Sequence, residues 1–403
     1  MGVILPPAPW RDRPGLAELI AVLGDARYVG GAVRDTLLGL AVSDVDLATP
    51  LEPVEVVRRL EAAGIRAVPT GIAHGTVTAV SQGAIVEVTT LRRDVATDGR
   101  HAVVAYTDSW HEDAARRDFT INALYADPGT GHIDDFFGGC DDLDARRVRF
   151  IGDPLRRIAE DHLRILRFFR FHARFGAEVD EAALAACVAR ANDLMALSRE
   201  RVAAELLKLL VAPQAVAVVR LMVTNGILRP VLPEIEVSGV ELLTALAEAE
   251  SRAGVAPHPI RRLAALIPPA DTEAVGARLK LSNVDRRRLA AARLGSGDEG
   301  KRALAYRAGM ELAVDRLLLS GGDPSEIMDW LPPRLPISGG ALVERGLQKG
   351  PAVATALKAV ENRWVAEGFP DQPRLEEIAD AVVSEQLEGA IIRQADDASS
   401  GRA

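Results

Sequence analysis

The sequence of 403 residues predicts an α+β protein, in which a small mixed sheet with helices occupies the first 150 residues and an all-helical region follows. Aromatic residues make up 4% of the chain and Ala, Leu, Val and Arg are abundant, which favours helices over a β-sandwich or barrel. Strand-like segments are confined to the N-terminal part. Beyond Asp153-Pro154, helical periodicity dominates and prolines interrupt it.

The first 150 residues alternate between short strands and helices. Periodicity and glycine stops predict helices over residues 16–23, 32–38 and 53–63. β-branched or alternating residues predict strands over residues 27–30, 43–48, 66–69, 76–80 and 84–90. Residues 93–106 show no convincing element and are predicted to form a loop. That loop is either an ordinary exposed one or a mobile one that takes part in switching specificity.

Helices are predicted throughout the remainder of the chain. One uninterrupted helix is expected over residues 153–175, and another is expected to begin at the N-cap Ser198, with Glu200 near its positive end. No catalytic pattern occurs beyond residue 211. Residues 394–403 are small and polar and are expected to fray.

Composition and charge exclude several classes of protein. No apolar run is long enough to cross a bilayer, and residues 1–10 lack the pattern of a secretory signal, so a cytoplasmic location without a membrane partner is expected. Cys140 and Cys187 are too few for a disulfide framework or a four-cysteine zinc site. The net charge of -9 argues against nucleic acid as a partner. Residues 146–174, however, hold nine arginines and three acids, a local excess that suits phosphate binding.

A glycine pair and two aspartates form the sharpest pattern in the chain. Gly30-Gly31 precedes a predicted helix, so that backbone N–H groups can approach a phosphate, and Arg34 lies one turn further on. Asp44 and Asp46 lie two residues apart on a predicted strand, so both carboxylates point to one face. Paired carboxylates facing a triphosphate suit Mg²⁺ and two-metal phosphoryl transfer. Taken singly, the glycine pair could be a plain turn and the two aspartates a solvated loop. Their occurrence together, in the order strand, glycine pair, helix, strand and aspartate pair, favours the phosphate and metal interpretation.

Two further features are open to two interpretations each. Glu87, on a later predicted strand, is either a third carboxylate in the same cleft or a solvent-facing residue. The predicted helix over residues 153–175 interleaves aromatic residues with arginines, which suits phosphates and stacked bases. The alternative is an arginine stripe that pairs with acids of a neighbouring domain.

Four further motifs join the glycine–aspartate pattern. They are Arg116-Arg117-Asp118-Phe119-Thr120-Ile121-Asn122-Ala123, Asp135-Phe136-Phe137-Gly138-Gly139-Cys140-Asp141-Asp142-Leu143, Glu160-Asp161-His162-Leu163-Arg164, and Leu197-Ser198 followed by Glu200-Arg201. In this order, the motifs resemble those of the class II nucleotidyltransferases of the polymerase-β-like superfamily. That family holds CCA-adding tRNA nucleotidyltransferases and bacterial poly(A) polymerases. The resemblance implies a polymerase-β-like head over residues 1–150, a helical neck over 151–212, a helical body over 213–330 and a tRNA-binding helical tail over 331–403.

The resemblance also implies roles for individual residues. Asp44 and Asp46 would bind Mg²⁺, with Glu87 as a further catalytic carboxylate. Asp161 and Arg164 match the positions that read the incoming base through its Watson–Crick edge, and Thr120 and Asn122 are candidate ribose contacts. The nucleotide-binding set is predicted to be Gly31, Arg34, Arg117, Asp161, Arg164, Arg167 and Arg170. Of these, Arg117, Arg167 and Arg170 would hold the triphosphate or orient Asp161.

The implied activity is the addition of C, C and A to the 3′ end of tRNA from CTP and ATP without a nucleic-acid template. Pyrophosphate would leave, and the 3′ end and acceptor arm of the tRNA would be the partner, with no obligate protein partner. One alternative lies within the family, a poly(A) polymerase or an enzyme that adds only A or only C. Glu160 directly before Asp161 favours the CCA-adding type. The other alternative is a non-catalytic RNA-binding protein, for which an intact aspartate pair would have no use.

Overall fold

The computed structural model describes residues 2–98, 101–295, 297 and 299–400. The chain forms two compact units, the first comprising residues 1–240 and 274–281 and the second comprising residues 241–273 and 282–403. The finer division at residues 150, 212 and 330 stays a prediction. In the described part of the chain, no helix combines the length and apolarity needed to cross a membrane.

A mixed sheet forms the centre of the N-terminal region. The strands described are β1 (Arg27–Val29), β2 (Val45–Thr49), β3 (Arg66–Gly71), β4 (Thr76–Ser81), β5 (Ala84–Thr90), β6 (Arg92–Asp98), β7 (His101–Tyr106), β8 (Leu124–Ala126) and β9 (Ile133–Asp135). Seven of them form one sheet in the order β3-β4-β5-β2-β1-β8-β9, and β6 and β7 form a separate hairpin. Strands β2 and β5 are parallel, in a register that places Asp46 opposite Glu87.

Helices cover this sheet and make up the rest of the chain. The helices that begin before residue 240 are α1 (Leu16–Leu23), α2 (Gly31–Leu37), α3 (Pro53–Ala62), α4 (Trp110–Ala115), α5 (Gly139–Asp144), α6 (Pro154–Glu160), α7 (Arg164–Phe175), α8 (Glu181–Ala189), α9 (Arg199–Leu210), α10 (Ala215–Thr224) and α11 (Val237–Arg252). The remaining helices are α12 (Pro259–Leu266), α13 (Thr272–Arg278), α14 (Asn283–Ala292), α15 (Lys301–Ala308), α16 (Met310–Leu319), α17 (Ser325–Met328), α18 (Gly339–Glu344), α19 (Pro351–Ala366) and α20 (Gln372–Ser400).

The predicted loop over residues 93–106 is wrong, because β6 and β7 form an antiparallel hairpin there. The sequence of this segment contains the β-branched residues Val95, Thr97, Val103 and Val104, a residue type that is typical of strands. The many charged residues obscured this pattern. Gly99 and Arg100 themselves lie outside the described residues.

The single helix predicted over residues 153–175 is also wrong. Helix α6 ends at Glu160, Asp161 is extended (φ -151°, ψ 107°), and α7 begins at Arg164. The Asp161 side chain accepts a hydrogen bond from the backbone N–H of Leu163 at 3.1 Å. Aspartate competes with helical hydrogen bonds in this way, so the break has a local cause. At the C-terminus, α20 continues to Ser400, where fraying was predicted, and residues 401–403 lie outside the described residues.

Phenylalanines of α7 form the core between this helix and the Arg116–Ala123 motif. Phe168 is fully buried and lies with its ring centroid 5.9 Å from that of Phe150. Phe119 of the motif packs 4.8 Å from Phe150 and 5.5 Å from Phe171. The rigid contact fixes the arginines of α7 relative to the sheet.

A buried ion network lies in the second unit. Arg261 donates to Glu250 at 2.7 Å and to Asp315 at 3.1 Å, and Asp315 also accepts from Arg288 at 2.7 Å. Asp315 is fully buried and Arg261 nearly so. Four helices, α11, α12, α14 and α16, are thus joined, and the side chains of Glu250, Arg261 and Asp315 in this network are buried.

Replacing Asp315 by Asn is expected to lower the free energy of unfolding by about 3–5 kcal/mol, because the buried Arg261 charge loses an ionised partner. Urea unfolding followed by circular dichroism measures the change. Glu311→Gln is the matched control, since Glu311 pairs with the same Arg288 at 2.9 Å but its side chain is 82% exposed. Its expected cost is below about 1 kcal/mol. Equal losses in the two variants would contradict the role given to burial.

Candidate active site

A cavity of about 450 Å³ opens in the first unit beside the glycine pair. Its lining residues are Gly30, Gly31, Arg34, Asp46, Arg92, Arg116, Arg117, Asp118, Asn122, Asp161, Arg164, Arg167 and Phe171. The structure thus brings most of the residues proposed from the sequence into one cavity. Asp44, Glu87 and Arg170 are outside this lining. Arginines outnumber aspartates among the described lining residues, which suits a polyanionic ligand.

The glycine pair and Arg34 form one wall of this cavity. Gly30 has a φ of 65°, which favours glycine, and caps α2. Arg34 is buried and donates to Asp35 at 2.8 Å and to Asn122 at 2.6 Å. Burial lowers the pKa of Arg34, although the charge of Asp35 opposes this shift. Arg34 is therefore held rigidly by internal partners at the cavity wall.

The three carboxylates lie on or beside strands β2 and β5. Asp46 is half-buried on β2, whereas Asp44 is exposed and directly precedes that strand. Glu87 is exposed on β5 opposite Asp46. Burial raises the pKa of Asp46 to about 6, the negative charges of Glu87 and Asp44 add to this, and Arg117 opposes it. The group of carboxylates therefore carries negative charge that the surrounding protein does not fully offset.

This donor set fits a divalent cation. Hard carboxylate oxygens with uncompensated charge are ligands that Mg²⁺ prefers, and Mg²⁺ is commonly held by one or two carboxylates together with substrate phosphates. Asp44 and Asp46 are the pair that would hold it. Across the described residues, no three His, Cys, Asp or Glu side chains are grouped so that they could hold one metal ion, so Glu87 is not placed as a third ligand.

The arginines of α7 pair with acids of other elements, whereas their pairing with acids of a neighbouring domain stays a prediction, since Glu205 lies on α9. Arg167 contacts Asp118 at 2.5 Å, Arg170 contacts Glu205 at 2.6 Å, and Arg174 contacts Asp35 at 3.0 Å. Burial alone would raise the pKa of Asp118, but Arg167 and a hydrogen bond from Asn122 lower it to about 2. Arg167 still lines the cavity, whereas Arg170 lies over the ring of Phe171 at 4.3 Å.

Asp161 and Arg164 both line the cavity, and the backbone N–H of Arg164 donates to the Asp161 carbonyl at 3.0 Å, while their side chains bond to other residues. Arg164 donates from Nη1 to the Arg157 carbonyl at 2.9 Å and to Glu160 at 2.7 Å, and from Nη2 to the Arg116 carbonyl at 3.0 Å. A guanidinium has five N–H donors, so the bonds described here leave two for a ligand. The break between α6 and α7 turns both side chains to the same cavity.

Two family models and several relatives match this chain. A family model described as the Poly A polymerase head domain matches residues 26–149, and one described as the probable RNA and SrmB-binding site of polymerase A matches residues 176–238. The mitochondrial CCA tRNA nucleotidyltransferase 1 of Danio rerio is 36% identical over 382 residues, which is 87% of this chain and 86% of the relative. The chain belongs to the CCA tRNA nucleotidyltransferase family. The human mitochondrial CCA tRNA nucleotidyltransferase 1 is 32% identical, over 86% of this chain and 84% of the relative.

Solved structures of this family confirm the predicted fold class. The CCA-adding enzyme of Bacillus stearothermophilus, in complex with CTP, matches with a TM-score of 0.73 and 27% identity, over 94% of this chain and 97% of that one. The Thermotoga maritima CCA-adding enzyme complexed with tRNA shares the fold at a TM-score of 0.64 and 19% identity, over 92% of this chain and 95% of that one. The mixed-sheet head with its helical continuation is thus the fold of the CCA tRNA nucleotidyltransferase family.

Arg201 is a candidate site residue to which the sequence analysis assigned no role. Its guanidinium donates to both carboxylate oxygens of Asp161, at 3.2 and 3.0 Å. Ser198 caps α9 and accepts from the backbone N–H of Arg201, which fixes the start of that helix. The sequence did mark this residue, because Arg201 is the last residue of the motif that begins at Leu197-Ser198. Its contact with Asp161, however, depends on the fold.

Asp113 is a second residue that sequence reasoning missed. It is buried and pairs with Arg116 at 2.7 Å and Arg117 at 3.1 Å, both of which line the cavity. Burial alone would raise its pKa, but the charges of Arg117 and Arg116 lower it to about 2. Asp113 therefore holds these two arginines in place. It lies outside the motif quoted from the sequence, three residues before it.

The two candidate ribose contacts differ in position. Asn122 lines the cavity, where its side chain contacts Arg34 and Asp118. Thr120 is buried and donates its hydroxyl to Asp142 at 2.6 Å, which gives it a structural partner. The ribose role of Asn122 stays a prediction, and Thr120 is not part of the cavity lining.

Arg201→Ala is expected to weaken base selection about tenfold while leaving stability within about 1 kcal/mol of the parent, since the pair with Asp161 is partly exposed. The expected cause is that Asp161 keeps the hydrogen bond from the Leu163 N–H but loses Arg201, the donor that contacts both of its oxygens. Incorporation of each of the four nucleotides is measured, together with urea unfolding. Arg190→Ala removes a comparable exposed pair, with Asp193 at 3.3 Å, and is expected to change neither quantity. Selectivity equal to the parent in Arg201→Ala would contradict the assignment.

Proposed function

We propose that this chain adds C, C and A in turn to the 3′ end of tRNA from CTP and ATP, without a nucleic-acid template. The observation that carries the proposal is one cavity lined by Asp46 and by Asp161 and Arg164. A carboxylate suited to metal-assisted transfer and a pair suited to reading a base edge thus face the same ligand space. The relatives named as CCA tRNA nucleotidyltransferases support this assignment.

Asp44 and Asp46 are proposed to hold Mg²⁺ at the reacting phosphate. A divalent cation held by these two carboxylates would supply Lewis-acid assistance at the α-phosphate and would lower the pKa of the attacking 3′-hydroxyl. The carboxylates themselves orient the reacting groups at the edge of β2. The hydroxyl oxygen bonds to the α-phosphorus of the nucleotide, the bond from that phosphorus to the oxygen bridging the β-phosphate breaks, pyrophosphate leaves, and the hydroxyl proton passes to solvent.

The arginines of the cavity are proposed to bind the triphosphate. Arg117 and Arg167 line the cavity, and each is held by a buried aspartate, Asp113 or Asp118. An arginine that is fixed before the ligand arrives loses little freedom on binding and presents planar donors to phosphate oxygens. Gly31 and Arg34 contribute the wall at the start of α2. Arg170 is proposed to act through Phe171, over which it lies, rather than by touching the nucleotide.

Asp161 and Arg164 are proposed to select the base. A carboxylate accepts a hydrogen bond from the exocyclic amine that cytosine and adenine share, whereas uracil and guanine present a carbonyl at that position. Arg164 donates to ring nitrogens or carbonyls. Glu160 contacts Arg164 at 2.7 Å, so the residue that favours the CCA-adding type in sequence also holds the base-reading arginine.

The 3′ end and acceptor arm of tRNA are the proposed partner, with ATP and CTP as substrates. The tail over residues 331–403 is proposed to contribute to tRNA binding. A cytoplasmic location remains the proposal from sequence, and the Danio rerio and human relatives are named as mitochondrial proteins.

A transfer assay tests the function. Three tRNA transcripts that end before C, after C and after CC are each incubated with one of the four labelled nucleotides and Mg²⁺. The expected result is ordered incorporation of C, C and then A, with arrest after A. A growing A tail, or addition of A alone or C alone, would move the protein to a related activity of the same family. No transfer with retained tRNA binding would favour a non-catalytic RNA-binding protein.

A further inference from the structure

The segment before the first helix contacts the connection that leads to the proposed metal ligands. Arg13 donates from Nη1 to the carbonyl of Ser43 at 3.0 Å and from Nη2 to the carbonyl of Val42 at 2.9 Å. Those two residues directly precede Asp44, and Ser43 donates its hydroxyl to the Asp44 carboxylate at 2.9 Å. One guanidinium thus holds two successive carbonyls beside a proposed catalytic carboxylate.

The connection that Arg13 contacts has little regular structure of its own. Residues 40–44 lie between α2 and β2 and belong to neither. Backbone bonds from Gly39 and Leu40 to α2 secure the beginning of this connection. Irregular backbone without such partners opens more readily than helix or strand. The position of Asp44 therefore depends on what holds Val42 and Ser43.

Arg13 is itself held on a rigid base. Trp10 is buried, donates from its indole to Thr36 of α2 at 2.9 Å, and packs edge-on against Tyr28 with 4.7 Å between ring centroids. Gly15, with a φ of 81°, makes the turn into α1 where a Cβ would lie 2.6 Å from the Ser81 carbonyl. Anchors on both sides of Arg13 thus fix its backbone against α2 and the sheet.

We propose that Arg13 is a positioning residue for nucleotidyl transfer, which holds the Val42–Ser43 backbone so that Asp44 is presented beside Asp46. This inference rests on the proposed function. Arg13 precedes the region matched by the head-domain model, which starts at residue 26, and it belongs to none of the motifs of the sequence analysis. Two N–H bonds from one planar group to adjacent carbonyls define orientation more strictly than a single bond.

The chain offers a matched control in Arg11. It belongs to the same segment and donates to the carbonyl of Pro128 at 2.8 Å, so Arg11→Ala removes one anchor of the segment without touching the connection. Arg13→Lys is the conservative variant, because an ammonium can replace part of the bonding but not the planar fork. All variants are made in the full chain, and thermal unfolding is recorded for each.

Two measurements test the proposal. Hydrogen exchange followed by mass spectrometry is expected to accelerate over residues 40–46 in Arg13→Ala and to stay unchanged there in Arg11→Ala. Steady-state transfer with CTP and ATP is expected to show a kcat about tenfold lower in Arg13→Ala, with KM within about twofold of the parent and partial recovery in Arg13→Lys.

Three results would decide against the inference. Unchanged kcat in Arg13→Ala would overturn it, as would unchanged exchange over residues 40–46. Equal losses of kcat in Arg13→Ala and Arg11→Ala would also overturn it, because they would indicate a general effect of loosening the segment. If the parent chain transfers no nucleotide, the proposed function fails, whereas the exchange comparison still decides whether Arg13 holds the connection.

Discussion

Asp46→Ala is expected to lower kcat for C and A transfer by about 10³-fold or more. The carboxylate is proposed to hold the metal, and metal assistance contributes several kcal/mol to the stabilisation of the transition state. Residual binding of nucleotide is expected, because the arginines and the base-reading pair lie on other elements. Single-turnover transfer onto a tRNA that lacks CCA measures the loss, and nucleotide affinity is measured separately.

The fold of this variant is expected to remain intact, and the structure gives a reason. Burial and the charges of Glu87 and Asp44 raise the pKa of Asp46 to about 6, so the ionised group is disfavoured in the folded chain. Ionising Asp46 therefore lowers the free energy of unfolding. This loss begins as the pH rises above the pKa of the unfolded carboxyl, and it is complete once the pH is well above the folded pKa of about 6. At pH 8, in the presence of a chelator, Asp46→Ala is therefore expected to have an unfolding temperature equal to or higher than that of the parent chain. Transfer at the parent rate would contradict the metal assignment.

Glu87→Gln provides a comparison that separates the two interpretations of Glu87. A third catalytic carboxylate would make this loss similar to that of Asp46→Ala. An exposed neighbour that acts only through its charge would reduce kcat by about tenfold or less. The position of Glu87 beside Asp46, without a complete three-ligand group among the described residues, favours the smaller effect.

Asp161→Asn is expected to change which bases are accepted rather than simply to slow the reaction. Arg201 donates to both oxygens of Asp161, so the amide oxygen of the new side chain is expected to turn to Arg201. The amide N–H₂ then faces the base and donates where the carboxylate accepted. Uracil and guanine present a carbonyl there, so discrimination against UTP is expected to fall by about 10–100-fold, in line with roughly 1–3 kcal/mol for a base contact.

Incorporation on a tRNA that awaits C measures this change, with each of the four nucleotides supplied separately. Asp193→Asn is the matched control, because Asp193 is a half-buried aspartate of the same region that contacts Arg190. This control variant is expected to keep the parent's preference for incorporating CTP over UTP. A uniform decrease for all four nucleotides in Asp161→Asn would show that Asp161 supports the site without reading the base.

The local order of the N-terminal elements was predictable because each element carries its own pattern. Residues 84–90 alternate in burial along β5, and α1 has the predicted bounds, since periodicity and glycine stops act over a few residues. The motif Arg116–Ala123 could also be recognised directly, because its residues are consecutive in the sequence. Such patterns depend on neighbours in sequence and need no knowledge of the fold.

Two of the wrong predictions, the loop over residues 93–106 and the single helix over residues 153–175, have local causes that periodicity alone does not reveal. In the hairpin of β6 and β7, charged residues among the β-branched ones hid the strand pattern. At Asp161, a side-chain bond to the Leu163 N–H interrupts a segment whose apolar spacing continues across the break. That interruption turns Asp161 into the cavity, so the place where periodicity failed is also a proposed functional position.

The family, the α+β class and most residues of the cavity lining could be predicted from the amino-acid order, because they follow from short motifs in a set order. Tertiary structure alone decided the partners of those residues. Arg201 reaches Asp161 across 40 positions, Arg167 reaches Asp118 across 49, and Arg13 reaches Ser43 across 30. Such pairings depend on how helices and strands pack, since a guanidinium bonds whichever acceptor the fold places within about 3 Å of it.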